Sequence, residues 1–345
     1  MEVIILAIVE KCYQTYEERV QTLIDRNMTI NKRSSKHRNV IKNYSYYNVI
    51  NGYKDLFLKD VSNDIYKDGT TPDQLFALYK FDEKLRIILL EFLLPIEEKL
   101  KHSICQSFYE YYLNDENTST YYKERLHRDT IYQRPEFYDR SNNDKQRKYD
   151  KYIEISQSEI GVQYRKGNES IRNYKDTHQY IPMWILFNIL MFGNMSKLFV
   201  ILKKDIKKDV MKKMGVTWNY PDEQNTISQF EKSLEIFTLA RNRCAHNERL
   251  YTYSHRMPLR DSYMDFRSVL PDPKDTNNYP NRTEMKFGIY SILFLISKFS
   301  TLTERKRMIK MISKEIDKLD KSLTVISINE VLTLMNMHHE WDTKL

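Results

Sequence analysis

Residues 71–113 read TPDQLFALYKFDEKLRIILLEFLLPIEEKLKHSICQSFYEYYL. Leu78, Leu85, Leu89, Phe92, Ile96, Leu100 and Ile104 step along one stripe, the spacing of a helix that buries a single face. Thr71 is a capping residue, Pro72 sits where a missing N–H costs nothing, and Gln74 completes a capping box. Pro95 lies inside the pattern and predicts a kink or a split, because proline deletes one helix hydrogen bond and crowds the preceding turn. A helix of this length needs other helices to cover its stripe, which makes an all-α fold the reading for the chain.

The composition agrees. The chain of 345 residues has only 7 Gly and 9 Pro, too few for the many tight turns of sandwiches, barrels or doubly wound sheets. Hydrophobic residues make up 41% and charged residues 30%, enough apolar mass for a real core. Three cysteines, Cys12, Cys105 and Cys244, are widely spaced and form no CxxC, so neither a disulfide framework nor a metal site is expected. A reducing cytoplasm fits that usage. The apolar run Val3–Val9 lacks a basic leader and a cleavage site, and Ile289–Ile296 is too short to cross a bilayer. No membrane partner is expected.

Working outward, residues 13–60 read as two short helices and a linker, with Tyr16, Val20, Leu23 and Ile24 on one face. Residues 114–180 are rich in Tyr, Asn, Asp, Lys and Arg and poor in aliphatics, an insertion with some helix but little core of its own. A long helix is predicted over 182–213, apolar all round at first and then basic, stopped by Gly215. Trp184, Met183, Met191 and Met195 are assigned to its buried part. Another helix spans 226–245, with Thr226 and Gln229 as a capping box and Ile227, Phe230, Leu234, Phe237 and Cys244 on its core face. Residues 256–284, with Pro258, Pro271, Pro273 and Pro280, read as loop, and two or three helices follow to about 340. The domain reading is therefore 1–70, a bundle over 71–255 carrying the 114–180 insertion, and 256–345 packing on that bundle.

The helix ending at 245 closes on ARNRCAHNERLY, residues 240–251. Histidine moves a proton near neutral pH, and arginine neutralises the extra charge of a phosphorane-like transition state through bidentate contacts. Arg241 and His246 are candidates for those roles, and Asn242 for orienting the histidine or holding a phosphate oxygen. On RNA the internal 2′-hydroxyl is the nucleophile, so no metal and no cofactor is called for. The plainer reading is a helix C-terminus at which Arg and His face the negative end of the dipole. His102 reads as an interface histidine, and His338-His339 as a surface pair without a third ligand nearby.

Four blocks carry a wider likeness: YYNVINGYKDLFL (46–58), FDEKLRIILLEFLLPIEEKLKHSI (81–104), IPMWILFNILMFGNMSKLF (181–199) and LARNRCAHNERLY (239–251). In this order they resemble the abortive-infection AbiD/AbiF family of Abi-like proteins, whose members carry a HEPN ribonuclease domain. The resemblance implies that Arg241, Asn242 and His246 are catalytic residues of a metal-independent endoribonuclease that arrests the host in phage defence. It also implies pairing of two HEPN domains, hence a homodimer with a composite site, and for some members a structured noncoding RNA partner. Lys101 stands where the family often has Arg, and Asn247 and Glu248 follow the histidine. Glu248 occupies the place of the tyrosine that is AMPylated in toxins of paired nucleotidyltransferase systems, so that mode of inactivation is not expected.

Charge bears on the RNA. Lys and Arg number 55 against 47 Asp and Glu, a net charge of +8. Lys145, Arg147, Lys148 and Lys151 in the insertion, and Lys203, Lys204, Lys207 and Lys208 on the basic helix, are the candidate phosphate contacts. Tyr149 and Tyr152 are the candidate base-stacking residues among the chain's 26 tyrosines. Solvated charged faces, and Tyr standing in for Phe at helix interfaces, are the plainer reading of the same residues. No DNA partner is expected. The alternative functions are an RNA-binding or RNA-scaffolded protein whose HEPN motif is structural, and a helical protein-interaction module.

Overall fold

The computed structural model describes residues 13–126, 130–216, 223–272, 274 and 280–345. The Val3–Val9 run, Cys12 and Pro273 lie outside the described residues. In chain order the helices are α1 (Tyr16–Asp25), α2 (Ser35–Asn43), α3 (Pro72–Asn114), α4 (Thr120–Arg125), α5 (Asn143–Arg165), α6 (Glu169–Asn173), α7 (Met183–Ile189), α8 (Phe192–Ile201) and α9 (Lys204–Lys213). They continue with α10 (Glu223–Ala245), α11 (Arg282–Met285), α12 (Ile289–Phe299), α13 (Leu302–Asp320), α14 (Ile328–Leu334) and α15 (Trp341–Lys344). One small antiparallel hairpin, β1 (Leu58–Asp60) and β2 (Ile65–Tyr66), precedes α3. The fold is all-α.

The chain divides into two compact units, Met1–Leu85 with Ser313–Leu332, and Arg86–Ile312 with Thr333–Leu345. In the first, Gln74 does not close a capping box. Its buried side chain donates to the carbonyl of Gly69 at 3.1 Å and accepts from the N–H groups of Thr324 and Val325 at 3.0 and 3.3 Å. A carboxamide that satisfies three loop groups is worth more here than one that caps its own helix. Tyr53 donates to the fully buried Asp82 at 2.7 Å in the same unit.

The second unit is organised by aromatic packing of α8, α10 and α12. Phe199 meets Phe230 at 4.8 Å between ring centroids, and Phe299 meets Phe237 at 5.4 Å and Phe230 at 5.9 Å. The apolar run of α12 is thus a core helix, buried at ten of its eleven positions. Gly193 lets α8 come close to α10: a Cβ there would stand 3.1 Å from the Thr238 methyl. Gly288 lets the chain before α12 pass Asn336, whose Cβ would lie 2.3 Å from an added methyl group.

Several sequence expectations are corrected. α3 is not split: it runs unbroken through Pro95 for 43 residues. The predicted 182–213 helix is three, α7, α8 and α9, separated at Leu190 and Leu202, which take extended backbone angles. Neither break holds a Gly or Pro, and an all-round apolar run hides the change of direction. Met183 and Met195 are core, but Trp184 and Met191 are exposed. α10 begins at Glu223, so Thr226 and Gln229 lie inside it and form no box. The Gln229 side-chain amide oxygen instead accepts from the Arg260 N–H at 2.8 Å.

The 114–180 stretch also does more than the sequence suggests, because tyrosine builds core and satisfies backbone together. Tyr112 donates to the carbonyl of Phe137 at 2.6 Å, Tyr132 to Ile181 at 2.7 Å, Tyr138 to Tyr132 at 2.8 Å and Tyr149 to Gln133 at 2.7 Å. Four rings fill space while their hydroxyls pair carbonyls in segments with few backbone partners.

His255 provides a pH handle on this unit. It is buried, its Nε2 lies 2.8 Å from the Ser291 hydroxyl, and its Nδ1 accepts from the Met257 N–H at 3.3 Å. Burial pushes its pKa down to about 4, so the folded state holds it neutral while the unfolded chain protonates near 6.5. Stability from this group is complete above the unfolded pKa and drains away as pH falls from 6.5 to 4, by up to about 3 kcal/mol. Urea midpoints measured across that window should fall less steeply for His255→Gln than for the unaltered chain; equal slopes would show that His255 is not buried neutral.

Candidate active site at the end of helix α10

All residues of the candidate site belong to the second unit. α10 closes with a Schellman turn: the Glu248 N–H donates to the carbonyl of Arg243 at 3.0 Å and the Asn247 N–H to that of Cys244 at 3.4 Å. Asn247 takes the left-handed conformation this motif demands, at φ 57°. The His246 N–H still donates to the Asn242 carbonyl at 2.9 Å, so His246 stands where the helix stops. The Asn242 and His246 side chains are exposed, and Arg241 is partly covered.

Arg241 faces α3. Its Nε lies 3.5 Å from Oε2 of Glu97, an ion pair too long for a hydrogen bond, with both atoms shut off from solvent. Glu97 is 5% exposed and its other oxygen lies 3.1 Å from Lys101 Nζ, itself 7% exposed as a residue. One buried carboxylate therefore serves two cations. Isolated, it would be too costly to bury; flanked by a lysine and an arginine it is compensated. The Arg241 side chain keeps 25% of its surface in solvent while its Nε faces the buried carboxylate.

Eleven residues earlier on α3, Arg86 is 3% exposed. Its Nη2 donates to the Asn247 side-chain oxygen at 2.7 Å and its Nη1 to the Glu248 carbonyl at 3.3 Å. Arg243 finishes the turn: it donates to the Arg249 carbonyl at 2.7 Å, pairs with Glu248 at 3.2 Å and lies over the Tyr253 ring at 4.5 Å. Arg86 and Glu97 are the contacts of the candidate cluster that sequence reading missed. The available signal was charge: Arg86, Glu97 and Lys101 sit beside the apolar stripe of α3, at positions a solvated helix face would not bury.

The RNA-contact candidates fare unevenly. Tyr149 and Tyr152 are withdrawn as base-stacking residues, because both are buried against Tyr138 at 5.5 and 5.7 Å. The cations are matched by carboxylates: Lys145 with Asp139, Lys148 and Arg147 with Asp144, Lys151 with Glu154, Lys204 and Lys208 with Glu223, and Lys207 with Glu231. Lys203 lies over the Tyr112 ring at 5.3 Å. Lys207 is buried and cannot reach a phosphate without moving. His338 and His339 do gain a third donor, Glu340, with ligand atoms within 4.8 Å. The Nδ1 of buried His338 already accepts from the Glu340 N–H at 3.1 Å.

A helical bundle that ends a core helix in an Arg, Asn and His cluster, with the arginine braced by a buried carboxylate, is the class that this geometry defines. The chain belongs to the Abi-like protein family, whose model matches residues 39–252 and so takes in the whole cluster. No curated protein and no solved structure matches the chain. Among the described residues no helix is long and apolar enough to cross a membrane.

The bracing of Arg241 is open to test by folding. Glu97→Gln leaves Lys101 and Arg241 without their buried countercharge and should lower stability by about 3 kcal/mol. Glu98→Gln, which removes an ion pair to Lys101 at 3.6 Å from a side chain 70% exposed, should change it by less than about 0.5 kcal/mol. Equal urea midpoints for the two variants would show that the buried carboxylate is not compensating the cations.

Proposed function

We infer that the protein is an abortive-infection endoribonuclease of HEPN type, acting in the cytoplasm, with Arg241, Asn242 and His246 as its catalytic residues. The observation that carries the reading is the braced Arg241 beside the exposed Asn242 and His246, at the end of α10 in an Abi-like chain. His246 takes the proton from an RNA 2′-hydroxyl, whose oxygen attacks the neighbouring phosphorus. The bond from phosphorus to the 5′ oxygen breaks and that oxygen is protonated. A 2′,3′-cyclic phosphate and a 5′-hydroxyl remain. Arg241 offsets the charge that builds on the phosphate oxygens, and Asn242 holds one of them.

One histidine serves one proton transfer at a time, and a second copy of the chain supplies a second. The homodimer is supported by exposed apolar side chains in the same unit: Ile87 and Leu94 on α3, Trp184 and Met191 around α7, and Leu239 one turn before Asn242. Met191 is 62% exposed. RNA contact by the exposed Arg147, Lys151 and Lys204 remains part of the reading, since surface ion pairs worth less than about 1 kcal/mol are readily exchanged for phosphates. A structured noncoding RNA held this way would keep the toxin inactive.

The second reading, an RNA-scaffolded protein with a structural motif, is favoured by the same turn, in which Arg86, Arg243 and Asn247 all act as helix-terminating groups. Cleavage of a single-stranded RNA oligomer in EDTA separates the two. The unaltered protein should leave 2′,3′-cyclic phosphate ends, and His246→Ala should cut at least about a hundredfold more slowly. Equal cutting by His246→Ala rejects the catalytic assignment; no cutting by either, with RNA co-purifying with both, selects the scaffold.

A further inference from the structure

We propose that Arg86 is the positioning residue for His246, acting through Asn247. The proposal deepens the nuclease reading and rests on it for its kinetic part, while its structural part is tested without any cleavage.

A left-handed residue must follow His246 for α10 to stop, and glycine fills that place at least cost. This chain has Asn247 instead, at φ 57°. Asparagine tolerates that conformation and adds a side-chain oxygen, and here the oxygen accepts from Arg86 at 2.7 Å. The second Arg86 contact, to the Glu248 carbonyl at 3.3 Å, fastens the next residue too. Burying a guanidinium to 3% exposure is expensive unless its donors are used. Two of those donors hold an otherwise solvent-facing turn.

The consequence falls on His246. Its ring is exposed, and among the described residues no side chain is seen holding it. Its direction is then set by its backbone, fixed on one side by the bond to the Asn242 carbonyl and on the other by Asn247. α3 thereby touches the cluster twice, at Arg241 through Glu97 and just past His246 through Arg86. One rigid helix sets the spacing between an electrostatic group and a proton-transfer group, and displacement by about 1 Å is enough to cost a hundredfold in rate.

The test uses Asn247→Gly, which keeps the left-handed turn but removes the oxygen, and Asn247→Asp, which restores an acceptor. Arg86→Lys supplies a charge without the two-pronged donor. With histidine rings labelled at carbon, His246 is assigned as the resonance missing from His246→Ala. In the unaltered chain the ring should be ordered. In Asn247→Gly and Arg86→Lys its order parameter should fall below about 0.6, and Asn247→Asp should restore it. On the RNA oligomer, kcat should drop roughly tenfold to a hundredfold in the same two variants with KM little changed. An ordered ring in both variants overturns the proposal, whatever the rates. If His246→Ala cuts like the unaltered protein, the nuclease reading fails, and ring order still decides the role of Arg86.

Discussion

Glu97 is the constraint on which the second unit turns. A carboxylate at 5% exposure survives only with cations in reach, and α3 supplies Lys101 one turn away while α10 supplies Arg241. The pairing fixes the rotation of α10 about its axis. Once Arg241 faces α3, the spacing of about 100° per residue turns Asn242 outward and leaves Phe230, Phe237 and Cys244 for the core. The aromatic contacts with α8 and α12 then follow from the same rotation. A hydrophobic face tolerates small rotations; a buried ion pair does not, so the charged contact sets register and the apolar ones supply most of the stabilisation.

The class of fold was legible because α3 carries a long clean stripe, and all seven of its stripe positions are buried. The cluster at α10 was legible for another reason: Arg, Asn and His are chemistry-bearing types, and the family pattern supplied their grouping. What was not legible is how the cluster is held. Arg86 and Glu97 lie 155 and 144 positions from Arg241 in the chain, and their place beside the apolar stripe of α3 hints at burial without naming what they meet. Their partners are known only once α3 and α10 are side by side.

The misplaced elements share a physical cause. Helix breaks at Leu190 and Leu202 carry no Gly or Pro because tertiary packing, and not local propensity, terminates α7 and α8. Trp184 and Met191 resembled core since helical periodicity cannot tell a face covered by this chain from one left open. The tyrosines misled in the opposite sense. Beside Lys and Asn they resembled a base-stacking surface, yet Tyr149 hydrogen-bonds the Gln133 carbonyl and Tyr152 packs on Tyr138. The polar neighbours of a tyrosine in sequence describe the other side of its helix.

The end of α10 reconciles two demands that usually conflict. A helix must stop cheaply, and in the proposed nuclease the proton-transfer group must be exposed yet fixed. A glycine after His246 would meet the first demand and leave the histidine on a loose hinge. Asn247 meets both, provided that a donor is brought to its side chain, and Arg86 brings it from α3 at 2.7 Å. The cost of burying that guanidinium falls on the fold and not on the site, which keeps Asn242 and His246 open to solvent. Such a division suits chemistry on a large polymer. The RNA of the proposed reaction needs an uncovered face, so order at the cluster would come from behind, through α3.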